Sequence, residues 1–232
     1  MSKVRRKLKK EVRYVIGFVA VVLVLLGFIV WYRQSHEWNF ASELDSIILS
    51  VGDTNMNLRE LTYYIMSVEE AGDRYAKMYD ADNPRKYWNL YMNNELTQSG
   101  YVSELARAAA MDYCIRDNIY ALEAMSHGIY LTDEEEAEVI YDATNAYETM
   151  TLKARTTTRL TAEDFKIIML KEALAHKYIA MLCQQDEDGV LDAIVLKYDV
   201  GGSYYESLKA SYDIWVDEES WNHVKVGTIT IN

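Results

Sequence analysis

YVSELARAAAMDYCIRDNIYALEAMSHGIYLTDEE, residues Tyr101–Glu135, predicts a long helix that stops and is followed at once by a second helix. Apolar side chains recur in this stretch at steps of three and four, which is the pattern of one face of an α-helix. These side chains are Leu105, Ala108, Met111, Ile115, Ile119, Leu122 and Met125. Gly128 stands where the end of a helix favours a residue without Cβ, and Thr132 with Glu135 matches a capping box for the next helix. The stretch is therefore predicted to be a helical hairpin against which other helices pack.

The rest of the chain also favours helix, because its 232 residues include only 10 Gly and 1 Pro. Apolar residues at helical spacing predict further helices from Asn57 to Tyr79, from Asp133 to Arg155 and from Ala162 to Gln184. Shorter helices are predicted over Arg85–Leu96 and Tyr204–Tyr212. The predicted fold class is therefore mainly α.

Two segments far apart in the sequence read as strands. Asp45–Gly52 is apolar and β-branched, and Val224–Ile231 alternates β-branched residues with others. A lone buried strand would leave its backbone groups unpaired, so the two are predicted to form a small sheet, joined by Ile214–Val216. Trp215 and Trp221 would seal this sheet against the helices. The alternative is a frayed carboxyl-terminal tail.

The amino-terminal part predicts a membrane anchor. Residues 1–13 are strongly basic, and the 19 residues Tyr14–Tyr32 carry no charge. As a helix they would span about 28 Å, close to the ~30 Å thickness of the hydrocarbon core. The positive-inside rule then places the amino terminus in the cytoplasm and the body outside it. We expect an uncleaved signal anchor in a single-pass protein of the cell membrane, with a cleavable signal peptide as the alternative.

This interpretation divides the chain into four parts. They are a basic cytoplasmic segment (1–13), a transmembrane anchor (14–32), a linker (33–44) and an extracytoplasmic helical domain (45–232). Residues 34–232 hold 16 basic and 35 acidic side chains, a net charge of −19. Such an acidic body disfavours binding to nucleic acid, because no basic face is left to neutralise phosphates. The lipid bilayer is expected to be a partner only through residues 14–32, and the oligomeric state is left open.

No pattern in the sequence indicates an active site. The four histidines are scattered, without the spacing of a metal site, and neither a glycine-rich phosphate loop nor a Gly-x-Ser-x-Gly elbow is present. We therefore expect no enzyme activity, no cofactor and no metal. Cys114 and Cys183 both lie in apolar helical patterns, so they are either free buried thiols or a single disulfide.

Tyrosine and methionine are abundant, with 19 Tyr and 10 Met. One interpretation is a helical core that uses them as packing residues. The other is a cleft that accepts varied apolar segments of other polypeptides, because both side chains adapt to different surfaces. Under the second interpretation the candidate contact residues are Tyr64, Tyr75, Tyr113, Tyr120, Met125, Tyr147, Met150 and Tyr178.

Three motifs occur in a recognisable order. SIILSVGDTNMNLREL (Ser46–Leu61) is a strand that leads into a helix, ALEAMSHGIYLTDEEEAEVI (Ala121–Ile140) is the glycine-stopped hairpin, and TAEDFKIIMLKEALAHKYI (Thr161–Ile179) is a capped helix. Together they resemble the amino-terminal helical domain of SurA/PrsA-type extracytoplasmic chaperones, over roughly residues 46–184. One departure is that Gly-Asp-Thr at 52–54 replaces the Asn-Gly turn usual in that family.

The resemblance implies a folding helper whose helical domain cradles unfolded clients. Many members also carry a parvulin prolyl isomerase domain, but the stretch from Asp186 to Ser203 is far too short to hold one. Isomerase activity is therefore not implied. The sequence thus predicts a membrane-anchored, extracytoplasmic, chaperone-like protein that binds unfolded or exported polypeptides. The alternative is a structural adaptor that docks one dedicated partner in the cell envelope.

Overall fold

The computed structural model describes residues 22, 24–26, 28, 38–93, 99–186 and 191–231. The chain divides into two units, the second of which begins at Phe40 and holds the folded body. Residues 40–44 belong to this body, although the sequence had suggested a linker over 33–44, and Leu44 is fully buried. Most of the predicted anchor Tyr14–Tyr32 lies outside the described residues. Among those described, no helix combines the length and the apolar character needed to cross a membrane.

The body is mainly helical, as predicted, with two small antiparallel sheets. The helices are α1 (Leu58–Tyr79), α2 (Arg85–Trp88), α3 (Val102–Ser126), α4 (Asp133–Thr149), α5 (Leu152–Thr158), α6 (Ala162–Gln185), α7 (Leu191–Tyr198), α8 (Ser203–Lys209) and α9 (Glu218–Asn222). The strands are β1 (Ile47–Val51), β2 (Thr54–Asn57), β3 (Tyr91–Met92), β4 (Gly100–Tyr101) and β5 (Ile214–Val216).

The predicted helix ends are confirmed by their caps. Asn57, Thr132 and Thr161 each accept a hydrogen bond from the backbone three residues on, and each forms a capping box. Gly128 has a φ of 70°, the left-handed conformation that glycine adopts without strain, just after α3 ends. The helical hairpin of α3 and α4 predicted from the sequence is therefore present.

Helix α3 lies at the centre of the body, between α1 and α6. Its buried residues include Ile115, Ile119 and Tyr120, which occupy different sides of the helix. Helices α1 and α6 contribute Ile65 and Phe165, both fully buried. Burial on several sides explains why α3 carries apolar residues over a wider arc than a surface helix does.

The main sheet has the order β2-β1-β5. Strand β1 pairs antiparallel with β2 through a tight turn at Gly52, and Leu49 lies opposite Met56 in this pairing. On its other edge β1 pairs with β5, so that Leu49 also lies opposite Val216. The prediction that Ile214–Val216 joins the amino-terminal strand is confirmed.

The prediction that Val224–Ile231 is a strand is wrong. This segment, named here the tail segment, forms turns and bends on the body, with Val224 and Val226 buried. Its backbone donors are bound by a side chain instead of a strand, because the buried carboxylate of Glu69 accepts from the amides of Gly227, Ile229 and Thr230. The alternative of a frayed tail is excluded by the same contacts.

Other differences are local. The helix predicted from Asp133 to Arg155 is two helices, because α4 ends at Thr149 and Thr151 caps α5 by accepting from the Ala154 amide at 3.1 Å. Of the helix predicted over Arg85–Leu96, α2 forms the first turn, Asn89–Asn93 are not helical, and residues 94–96 lie outside the described residues. Trp221 is buried as predicted, whereas the Trp215 side chain is 52% exposed and does not seal the sheet.

Candidate functional site

An open groove of about 650 Å³ runs between α4 and α6, and we call it the interhelical groove. Both helices contribute residues at steps of three and four, so two parallel stripes of side chains face each other across it. The groove is lined by Leu131, Glu135, Glu138, Val139, Asp142, Ala173, His176, Lys177, Ala180, Met181 and Gln184. Its volume lies in the range of about 300–1,000 Å³ that is common for ligand-binding clefts.

Helix α4 packs mainly against α6, which explains why the groove stays open. All of α4 is described, and Ala143 is its one fully buried side chain. Ala173 and Ala180 of α6, two helical turns apart, line the groove and are too short to reach across it. A helix held along one edge only therefore leaves an apolar floor of half-buried Leu131, Val139 and Met181, which no other element among the described residues covers completely.

The two ends of α4 are fixed by specific contacts. At its start, Lys177 Nζ of α6 lies 2.5 Å from Glu135 Oε2 and donates to the Tyr130 carbonyl at 3.0 Å. The hydrogen bond from Lys177 lowers the pKa of Glu135. At its end, the Tyr147 ring packs edge-on against Phe165 of α6, with ring centroids 6.0 Å apart. These contacts also show that α4 and α6 run in opposite directions.

A second clamp holds the end of α4. The Arg155 guanidinium of α5 donates to the Tyr147 carbonyl at 2.9 Å and lies over the Tyr147 ring at 4.6 Å. A guanidinium combines such hydrogen bonding with stacking on an aromatic face. The groove therefore lies between two sets of contacts that join α4 to its neighbours, one at each end of α4. A bound segment would not have to hold the two helices together.

The electrostatic character of the groove is acidic. Helix α4 carries seven acidic side chains and no basic one. Two of the seven, Glu138 and Asp142, line the groove, are exposed and make no ion pair among the described residues. Lys177 on the opposite wall is already paired with Glu135, and His176 lies 3.4 Å from a nitrogen of Arg116. The groove thus presents apolar surface bordered by uncompensated negative charge.

A second cavity of about 450 Å³ lies where α1, α4, α5 and the tail segment meet. Met66, Met150 and Phe165 supply apolar surface, and Glu70 and Asp73 of α1 supply negative charge. Thr230 and Ile231 of the tail segment form one of its walls. This cavity therefore depends on the tail segment staying in place.

The candidate contact residues predicted from the sequence are not brought together. Tyr64, Tyr120 and Tyr178 are buried in the core, with at most 5% of each side chain exposed, and offer no surface to another polypeptide. Tyr75, Tyr113 and Met125 are exposed on separate parts of α1 and α3, while Tyr147 and Met150 are half-buried near the end of α4. Of the eight, Met150 lines the second cavity and none lines the interhelical groove.

The buried tyrosines support the packing interpretation of the composition. Tyr120, for example, donates from its hydroxyl to the Tyr198 carbonyl at 2.7 Å, and its ring lies 6.1 Å from that of Tyr205. Sequence reasoning missed the groove because it searched for large residues. The informative signal was small residues, Ala173 and Ala180, that face Val139 and the acidic side chains of α4.

A polar cluster is centred on Arg116 and Asp117 of α3. Asp117 is fully buried, accepts from Arg116 Nε at 2.9 Å, and leaves its Oδ2 atom without a hydrogen bond. Burial raises the pKa of Asp117 to about 6, although Arg116 acts in the opposite direction. Burial, followed by the Glu172 carboxylate, also raises the pKa of Tyr63. Because Asp117 is fully buried, its ionisation bears on the stability of the fold.

The two cysteines do not form a disulfide. Cys114 is buried with its thiol 3.7 Å from Met56 Sδ, Cys183 is half-buried, and both are free thiols, as one of the two sequence interpretations held. Within the part of the chain that the structure describes, no group of three or more His, Cys, Asp or Glu side chains could hold a metal ion.

No family model, no curated protein and no solved structure matches this chain. The fold and the groove define it by class, as a mainly helical domain with small antiparallel sheets and an open acidic groove. The likeness to SurA/PrsA-type chaperones rests on the three sequence motifs alone.

Proposed function

We propose that this chain is a membrane-anchored, extracytoplasmic, chaperone-like protein that holds unfolded or exported polypeptides in the interhelical groove, without catalysis. The observation that carries the proposal is the half-exposed apolar floor between α4 and α6. Exposed apolar surface lowers the solubility of a protein. An exposed apolar patch that is bordered by charged residues is therefore typical of an interaction site. The acidic surroundings keep such a domain soluble while the floor stays accessible.

The membrane anchor belongs to the same proposal. Its support is the uncharged run Tyr14–Tyr32 after a basic segment, which orients the body outward by the positive-inside rule. A groove tethered near the membrane would meet polypeptides as they emerge from export, before their apolar residues are buried. The stretch from Asp186 to Ser203 is too short to hold an isomerase domain, which fits a holding role.

Site-specific photocrosslinking in cells tests this function. A photoreactive amino acid is placed at Val139 or Met181, on the two walls of the groove, and at Leu152 as the control. Leu152 is apolar and 78% exposed but lies outside the groove, so it reports non-specific contact. We expect many unrelated exported proteins to crosslink at the first two positions and few at the third. One dedicated partner would instead favour the adaptor, and no groove-specific crosslink would refute both.

A further inference from the structure

We infer that the interhelical groove selects cationic amphipathic segments, in which apolar side chains alternate with lysine or arginine. This inference rests on the proposed function and specifies its client class. The groove walls carry three carboxylates, from Glu135, Glu138 and Asp142, against a single ammonium group from Lys177. Because Lys177 and Glu135 neutralise each other at 2.5 Å, two carboxylates remain for a partner.

The spacing of these two carboxylates defines the complementary pattern. Glu138 and Asp142 are four residues apart on α4, which places them on one face and about 6 Å apart along the helix axis. A helical segment with lysines at i and i+4 presents the same spacing. The alternating residues of an extended segment repeat about every 6.6 Å, so an extended client can also match it.

The apolar floor supplies the second half of the pattern. Val139 lies between the two carboxylates in sequence and, with Leu131 and Met181, offers aliphatic surface of flexible shape. Lysine and arginine can lay their methylene stems along such a surface while their charged ends reach the rim. A cationic amphipathic segment can therefore pack its apolar side chains on the floor and pair its charged ends with Glu138 and Asp142. An acidic segment would place like charges next to Glu138 and Asp142.

The second wall adds little cationic surface that would favour an acidic client. His176 is the further basic side chain of the groove, and it contacts the guanidinium of Arg116 at 3.4 Å. Charge complementarity thus distinguishes the possible occupants. We expect the preference to be electrostatic and to weaken at high salt, because exposed charges are screened.

Peptide binding to the chain Met1–Asn232, held in nanodiscs of zwitterionic lipid, tests the inference. Three synthetic peptides share one length and one leucine pattern, and their remaining positions are all lysine, all glutamine or all glutamate. Empty nanodiscs measure the binding that is due to lipid. We expect the lysine peptide to bind about tenfold more tightly than the glutamine peptide at low salt, the size expected from two exposed ion pairs. The glutamate peptide should bind least.

Matched variants separate the groove from the overall charge of the body. The double variant Glu138→Lys, Asp142→Lys should lose the preference for the lysine peptide. The control Asp53→Lys, Asp82→Lys makes the same change of net charge at two exposed positions outside the groove and should keep the preference. If the lysine variant does not fold, Glu138→Gln with Asp142→Asn replaces it.

Each outcome is informative. Equal binding of all three peptides, or an equal loss of preference in both double variants, overturns the inference and leaves the proposed function standing. The absence of binding by any peptide refutes the proposed function itself.

Discussion

The buried carboxylate of Glu69 on α1 accepts the backbone N–H of Ile229 at 3.0 Å, although 160 positions separate the two residues. The same carboxylate accepts from the amides of Gly227 at 2.5 Å and Thr230 at 2.6 Å, and from the Thr230 hydroxyl. One side chain thus replaces the neighbouring strand that the tail segment lacks. Charge-assisted hydrogen bonds of this kind are stronger than those between neutral groups.

Replacing Glu69 with alanine should be strongly destabilising. The variant leaves three buried backbone donors without their acceptor and loses the contacts of a fully buried side chain. We expect a loss of about 3 kcal/mol in the free energy of unfolding, measured by urea denaturation. Glu70→Ala is the control, because Glu70 is the exposed neighbour on α1. Similar stabilities for the two variants would contradict the role given to Glu69.

A glycine in the tail segment provides an independent test of the same packing. Gly227 has a φ of 97°, and a Cβ at this position would come within 2.5 Å of the Trp88 ring. Gly227→Ala should therefore cost more stability than Gly201→Ala, whose φ is 80° but which has open space around it. We expect about 1 kcal/mol for Gly201→Ala from its backbone conformation alone, and clearly more for Gly227→Ala. Equal unfolding midpoints of the two variants would show that the tail segment does not pack closely against Trp88.

The helices were predictable because their signals are local. Asn57 with Glu60, and Thr132 with Glu135, are capping pairs three residues apart, and the structure confirms both. The tail segment was not predictable in the same way. Its alternation of β-branched residues is typical of a strand. Its amides nevertheless donate to the carboxylate of Glu69, which is far away in sequence, and not to another strand.

The groove shows a different limit of sequence reasoning. Large residues such as Tyr120 and Tyr178 are buried in the core, because a residue that is favourable at an interface is equally favourable in a core. A groove forms where one face of a helix has no packing partner. Sequence periodicity shows which residues share a face, but it does not show which faces remain uncovered. The acidic, one-sided pattern of α4 did predict a helix packed on one face, and Ala143 confirms it.

The buried Asp117 predicts a pH dependence of stability. Its pKa of about 6 in the folded protein exceeds the ordinary value of 3.8, so the folded state holds this proton to higher pH than the unfolded state does. The contribution of Asp117 to the free energy of unfolding should thus fall as pH rises from about 4 to about 6, by on the order of 3 kcal/mol. Asp117→Asn cannot titrate, so its stability relative to the parent should rise across this window. A difference that stays constant between pH 4 and pH 7 would contradict the assignment.

The orientation of the chain can be checked directly. If residues Tyr14–Tyr32 anchor the protein with its amino terminus inside, a protease added to intact spheroplasts should remove residues 34–232. An epitope placed before residue 14 should survive the treatment, which provides an internal control. Full protection of residues 34–232 would refute the proposed localisation. It would also refute the proposal that the groove meets polypeptides as they emerge from export.

Filling the groove should weaken peptide binding without unfolding the protein. Ala180 of α6 is exposed and lines the groove, so Ala180→Trp places a large ring over the apolar floor. We expect the lysine peptide to bind at least about tenfold more weakly, because the ring occupies surface that the peptide would cover. The control is Ala162→Trp, since Ala162 is an exposed alanine at the start of the same helix and outside the groove. Both variants should melt close to the parent temperature, because neither changes a buried residue. If Ala180→Trp binds the peptide as the parent does, the peptide contacts another surface, and the second cavity beside Met150 becomes the next position to test.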